Sequence, residues 1–128
     1  MDIVAALYTE DLAMRPVPGP STRIDLTGVY FSMAAPSPVP VTVEPHLIVL
    51  LRNPPDAGEH GVLEVRFLRD GEQVARNVQP VTIEPGKFGY RLVRAELTFE
   101  GYDTVEAHCR VDQGTETVVP LTLLPPVG

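Results

Sequence analysis

The sequence has a single cysteine and no long apolar run, and both shortages limit what the protein can be. Cys109 has no second cysteine to pair with, so an intrachain disulfide is excluded and a reducing, cytoplasmic location is expected. The opening residues, Met1-Asp2-Ile3-Val4, lack the cationic region of a secretory signal, which favours the same location. The apolar runs are far shorter than the roughly 20 residues of a membrane-spanning helix, so we expect no membrane partner.

Basic residues are also scarce. Ten lysine and arginine residues stand against 17 aspartate and glutamate residues, which gives a net charge of -7. Because no basic patch is present to neutralise phosphates, nucleic acid is not expected as a partner. Lys87 is the only lysine, and we interpret the preference for arginine as the coding bias of a GC-rich genome, since arginines that recognise a ligand would cluster.

The common motifs of catalysis and cofactor binding are missing. The serines Ser21, Ser32 and Ser37 lie outside any Gly-x-Ser-x-Gly motif, so an acyl-transfer triad is unsupported. The glycines stand in predicted turns that no helix follows, unlike those of a phosphate-binding loop. We therefore predict no catalytic residue, no cofactor and no enzymatic activity.

Two stretches with a two-residue alternation of apolar and polar side chains dominate the sequence. In the first, Gly61 to Ala75, Val65 and Phe67 point to one face of a predicted strand, and Asp70-Gly71 supplies the turn of a β-hairpin. The second, Thr104 to Leu123, repeats the design around a turn that contains Gly114. Both are predicted to be β-hairpins with one buried, apolar face.

The remaining chain predicts further short strands separated by proline and glycine. Thr9 to Met14 is predicted to be a loop, because Pro16, Pro18 and Pro20 follow it. Bulges are expected at Gly28 and near Val93. The other predicted strands are Asp2 to Tyr8, Thr22 to Met33, the strongly apolar His46 to Arg52, Val81 to Ile83, and Phe88 to Phe99.

Residues 34–45 carry Pro36, Pro38 and Pro40 at every second position. Proline cannot donate to a sheet ladder, so we predict a rigid crossover or an edge and not a central strand. Alternating prolines also favour polyproline II, which aromatic-lined grooves recognise, and this alternative stays open.

Together these elements predict an all-β fold with little helix. Seven to eight short strands at regular spacing are typical of a single antiparallel β-sandwich, which we expect to span residues 1–128.

Three segments carry a resemblance to a known family. They are Ala5-Ala6-Leu7 followed by Thr27-Gly28-Val29-Tyr30, the hairpin Leu63 to Gly71, and Gly101 to Glu106 leading to a turn at Asp112. Their order resembles a family of short, uncharacterised bacterial proteins of Ig-like β-sandwich type, over nearly the whole chain. The resemblance implies an Ig-like sandwich, and it supplies no functional residue because the family has no assigned activity.

Histidine and cysteine are the first candidates for chemistry. His46, His60 and His108 are far apart in sequence and lack the close spacing of a zinc pair, so we expect solvated or singly hydrogen-bonded side chains and no metal site. Cys109 alternates in phase with Ala107, which places its thiol in the predicted core.

Acidic residues form three small groups: Glu10 with Asp11, Asp112 with Glu116, and Glu96 with Glu100 and Asp103. The last group could bind calcium, although the stepped Asp-x-Asp loop of a calcium site is missing. A solvated acidic rim is the favoured interpretation.

The sequence is most typical of a non-catalytic binding or scaffold module that acts through protein–protein contacts, with a protein partner or with its own copy as a homodimer. One alternative is a small-molecule binder or enzyme, with a pocket at one end of the sandwich where His60, the Asp56 loop and the Asp103 loop meet. Another alternative is a calcium-dependent module.

Overall fold

The structure is a computed structural model that describes residues 1–18 and 22–128, and within these ranges it is all-β with no helix. Pro20 and Ser21 lie outside the described residues. The described part has eleven strands, and eight of them have seven or more residues. The count exceeds the predicted seven to eight because three further strands have only three residues each. The strands are β1 (Asp2–Pro16), β2 (Thr22–Tyr30), β3 (Ser32–Ala34), β4 (Val41–Val43), β5 (His46–Arg52), β6 (His60–Arg69), β7 (Glu72–Thr82), β8 (Phe88–Arg94), β9 (Leu97–Phe99), β10 (Thr104–Val111) and β11 (Thr117–Leu124).

The strands form two main sheets around one core, as a β-sandwich does. One sheet has the order β2-β1-β5-β8, the other has the order β3-β11-β10-β6-β7, and β4 pairs with β9. Only β3 and β11 are parallel among the described pairings. Fully burying a large apolar side chain stabilises the fold by about 1.5–3 kcal/mol. Both sheets contribute such side chains to the core, among them Tyr8, Leu47, Val49, Leu51, Leu63, Val65, Phe67, Val105, Leu121 and Leu123.

The two predicted hairpins are confirmed. β6 and β7 meet at a turn where Asp70 and Gly71 have φ values of 50° and 79°. Both are left-handed, as the tightest hairpin turns require. β10 and β11 meet beyond Asp112, whose φ is 51°. The predicted buried strand His46 to Arg52 is also confirmed and has the same bounds as β5.

The prediction of a loop at Thr9 to Met14 is wrong, because β1 continues to Pro16 and pairs with β2. Leu12 lies opposite Leu26, and Met14 lies opposite Ile24. These cross-strand apolar pairs favour a hairpin, and they come from residues too far apart in sequence for local alternation to show them.

Several predicted boundaries also move. β2 ends at Tyr30, and the chain then joins the other sheet as β3. The predicted strand Val81 to Ile83 is mostly the end of β7, and the predicted strand Phe88 to Phe99 divides into β8 and β9.

Neither predicted bulge is present, since the register is the same on both sides of Gly28 and of Val93. The register shifts instead between Ile3 and Ala5 and between Phe67 and Leu68.

The proline-rich tract lies between β3 in one sheet and β5 in the other. Within it, β4 forms a short antiparallel pair with β9, and the Val39-Pro40 peptide bond is cis. The tract is therefore neither a central strand nor a free loop along its whole length.

Candidate binding surfaces

The hairpin of β1 and β2 bends toward the outer face of the four-stranded sheet, meaning the face turned away from the core. Val4 and Met14 are ten residues apart on β1, about 33 Å in a straight strand, yet they line one cavity. Thr9 lies at the bend, where its buried hydroxyl is 2.8 Å from the carbonyl oxygen of Asp11 and 2.9 Å from that of Thr27. Gly28 on β2, which the register places opposite Glu10, has a φ of 65°. This bend explains how an outer sheet face comes to be covered by the chain itself.

The outer face of β5, which the hairpin approaches, carries apolar side chains. Ile48 points away from the core between the sheets, since its neighbours Leu47 and Val49 belong to that core. Ile48 is nevertheless fully buried. The four-stranded sheet therefore packs apolar side chains on both of its faces.

A cavity of about 570 Å³ lies between this outer face, the bent hairpin and residues 82–91. We call it the β8 cleft. Its volume falls within the range of about 300–1,000 Å³ that small-molecule sites occupy. Charged side chains stand among an otherwise mainly apolar lining. The lining residues are Val4, Met14, Ile24, Leu50, Thr82, Ile83, Glu84, Lys87, Phe88, Gly89, Tyr90 and Arg91.

The two sheets meet at a seam between the edge strands β7 and β8, where side chains bond to the backbone of β8. The amide of Gln79 donates to the carbonyl of Leu92 at 3.1 Å, and the amide of Asn77 lies 3.5 Å from the carbonyl of Arg94. The guanidinium of Arg91 donates to its neighbouring carbonyl on Tyr90 at 2.8 Å. The outward carbonyls of Tyr90, Leu92 and Arg94 therefore accept side-chain hydrogen bonds, which reduces the capacity of this edge to pair with another strand.

The free edge of β7 has no such protection over its middle. The amide of Ile83 donates to the carbonyl of Glu59, which fixes the odd-numbered residues from Ala75 to Ile83 as those bonded to β6. The backbone groups of Arg76 and Val78 therefore point outward, and nothing in the described part of the chain bonds to them. At the end of this edge, Pro80 has no N–H and its carbonyl accepts from Arg91 at 3.4 Å. Arg76 and Val78 leave four backbone groups open to a partner strand.

The outer face of the five-stranded sheet is charged. The carboxylate of Glu64 accepts from Arg76 at 2.7 Å and lies 3.3 Å from Arg110. The hydrogen bond from Arg76 holds the pKa of Glu64 below its usual value, with help from the charge of Arg110. Glu116 bonds to His108 and lies 3.3 Å from Arg66, and the pKa of Glu116 is lowered chiefly by the hydrogen bond with His108. Alternation places Glu64, Arg66, His108 and Arg110 on polar faces of their strands, but their pairing depends on strand register.

The three histidines do not converge. His46 lies opposite Arg94, His60 is exposed beside Thr82, and His108 belongs to the charged face. In the residues that the structure describes, no group of three or more His, Cys, Asp or Glu side chains is placed to hold a metal ion.

Cys109 is fully buried, as predicted. Burial raises the pKa of its thiol to about 12, and the nearby charge of Glu116 adds to the effect. A thiol so protonated is a poor nucleophile. Tyr8 shares this interior, where burial raises its pKa and its hydroxyl has no hydrogen-bond partner in the described residues.

The predicted pocket at one end of the sandwich is wrong in its geometry. His60 begins β6, whereas Asp103 lies 3.2 Å from Arg69 at the end of that strand. Ten residues of strand separate these ends by about 30 Å. Asp103 therefore forms an ion pair with Arg69, whose guanidinium also lies 5.0 Å from the ring centroid of Phe99.

No protein-family model matches the chain, and no curated protein matches its sequence. The resemblance to an Ig-like family therefore stays a prediction. In the described residues, no helix is long and apolar enough to cross a membrane.

Proposed function

We propose that the chain is a non-catalytic binding module with an Ig-like strand order, and that it acts through protein–protein contacts at the free edge of β7, with a second copy of itself as partner. The observation that carries the proposal is the contrast at the seam. The outward carbonyls of Tyr90, Leu92 and Arg94 on β8 accept side-chain hydrogen bonds, whereas the outward N–H and carbonyl groups of Arg76 and Val78 on β7 neither donate nor accept one within the described ranges. Unpaired strand edges are the usual template for pairing with another chain.

The sheet orders support the Ig-like part of the proposal. The order β11-β10-β6-β7 corresponds to strands G, F, C and C′ of an Ig variable-type sheet, and β1-β5-β8 corresponds to A, B and E of the opposite sheet. The long β1–β2 hairpin is an addition to that plan.

The chemistry of the edge selects one antiparallel register. A two-fold axis at Arg76 would place two arginines directly opposite each other, which is unfavourable. An axis at Val78 would place Arg76 opposite Pro80, which cannot donate a hydrogen bond. An axis at Asn77 places Arg76 opposite the partner's Val78, and all four outward backbone groups of each copy are then paired. Such a closed two-fold contact is the commonest form of oligomer.

Light scattering coupled to size exclusion tests the proposal with a matched pair of variants. Val78→Lys places a cation opposite the arginine of the second copy, while its own cross-strand neighbour Glu64 stabilises it in the monomer. Val118→Lys is the control, because Val118 is 45% exposed against 46% for Val78 and lies on β11, far from the edge.

We expect a dimer for the unaltered chain and for Val118→Lys, and a monomer for Val78→Lys. A monomer for the unaltered chain at every concentration would refute the proposal. Equal dimerisation of all three proteins would also refute this choice of edge.

A further inference from the structure

The residues that line the β8 cleft are mainly apolar, and their charged side chains sum to one positive charge. Met14 and Ile24 from the bent hairpin face Val4 and Leu50 across it, and Phe88, which is 69% exposed, stands at its rim. This is a concave apolar surface open to water, which is costly unless something covers it.

The charges of the cleft are unequal. Lys87 lies 2.9 Å from Glu84, so these two neutralise each other. Arg91 makes no ion pair with any described residue, in a chain whose net charge is -7. The positive charge of the cleft therefore belongs to Arg91.

The guanidinium of Arg91 is held in place and still has donors to spare. Its Nε–H donates to Pro80 and one Nη1–H donates to the carbonyl of Tyr90. Arginine has five N–H donors, so three remain. Two hydrogen bonds to backbone carbonyls fix the planar guanidinium of Arg91. Such a group can donate two parallel hydrogen bonds to one carboxylate.

We propose that the β8 cleft binds a small amphipathic molecule with one apolar chain and one carboxylate. The chain lies among Met14, Ile24, Leu50 and Phe88, and the carboxylate bonds to Arg91. The cleft includes neither Arg76 nor Val78, although Thr82 at the end of β7 lines it, so ligand binding is tested independently of the proposed dimer.

Calorimetric titration of the full chain with octanoate, decanoate and dodecanoate, below their micelle concentrations, tests the chain-binding part. Each added pair of methylenes should tighten binding roughly tenfold until the cleft is filled, since each buried methylene contributes about 0.8 kcal/mol. The proposal would be overturned if none of the three carboxylates showed saturable binding, or if their affinities did not depend on the length of the alkyl chain.

Decanol, compared with decanoate, tests the role of the charge. We expect decanoate to bind about tenfold more tightly than decanol, because hydrogen bonds to charged groups are the stronger ones. Arg91→Gln should remove this preference and leave the affinity for decanol unchanged. Equal affinities for the two ligands in the unaltered chain would contradict the assignment of Arg91.

Phe88→Ala and Phe31→Ala locate the site. Phe31 is a matched control, because it is 45% exposed and does not line the cleft. Phe88→Ala should weaken decanoate binding about tenfold and Phe31→Ala should not change it. Equal weakening by both variants would place the binding elsewhere and overturn the proposal.

Discussion

The two outer faces of the sandwich differ in kind. On the five-stranded sheet, Glu64 and Glu116 hold arginine and histidine side chains in an open, charged surface. On the four-stranded sheet, Ile48 is fully buried, and the chain's own β1–β2 hairpin bends toward that face. An apolar outer face therefore need not be an interface, because a long hairpin can cover much of it and leave a cleft beside it.

Ile48→Ala tests whether the outer face of the four-stranded sheet is packed like an interior. If the outer face of the four-stranded sheet is a true second core, the substitution should lower the free energy of unfolding by about 2–5 kcal/mol, as in any packed interior. Val62→Ala, on the outer face of the other sheet and 45% exposed, should change it by less than about 0.5 kcal/mol. Urea unfolding measures both, and similar values for the two variants would remove the distinction.

Gly28→Ala tests the bend. Its φ of 65° disfavours any residue with a Cβ, and that Cβ would lie 2.6 Å from the side chain of Glu10. We expect a loss of about 1–2 kcal/mol of unfolding free energy. Gly58→Ala is the control, because nothing lies within 4 Å of its Cβ position. A Gly28→Ala protein as stable as the Gly58→Ala protein would show that the bend does not need this backbone conformation.

The charged face predicts a pH dependence. The pKa of Glu64 is lowered in the folded protein from 4.5, chiefly by the hydrogen bond from Arg76, so the folded state favours its ionised form. The resulting stabilisation is complete above the unfolded-state pKa and is lost as the pH falls through the lower folded-state pKa.

Glu64→Gln should therefore flatten part of the fall in the urea midpoint between about pH 5 and pH 3. Glu72→Gln, at a residue that makes no ion pair within the described ranges, should leave the curve unchanged. Superimposable curves for Glu64→Gln and the unaltered chain would contradict the role of this carboxylate.

Tyr8→Phe probes the core that lies between the two sheets. The hydroxyl is buried without a partner in the described residues, so its removal leaves no donor or acceptor unpaired. We expect the unfolding free energy to stay the same or rise by up to about 1 kcal/mol. A loss of more than that amount would reveal a hydrogen bond at this hydroxyl.

The hairpins and β5 could be predicted from the sequence because their signals are local. Asp70-Gly71 specifies a tight turn, and the alternation around Val65 specifies which face of β6 is buried. The extension of β1 could not be predicted in the same way, since it depends on the pairing of Leu12 with Leu26, which is distant in the sequence. The sequence pattern of Pro16, Pro18 and Pro20 favours a loop, but β1 continues to Pro16.

The candidate surfaces depend on pairing that no local pattern reveals. Which backbone groups of β7 point outward follows from its register with β6, fixed by the bond from Ile83 to Glu59. Likewise, Arg91 joins the cleft because β8 lies at the edge of its sheet, next to Pro80. The sequence could indicate a binding module in general terms, while the positions of its surfaces required the fold.

Amide hydrogen exchange at Arg76 and Val78 tests the proposed edge contact most directly, because these two N–H groups point away from β6. We expect their exchange to slow as protein concentration rises, while the amide of Ile83, already bonded within the chain, is protected at every concentration. Fast exchange at Arg76 and Val78, independent of concentration, would contradict it.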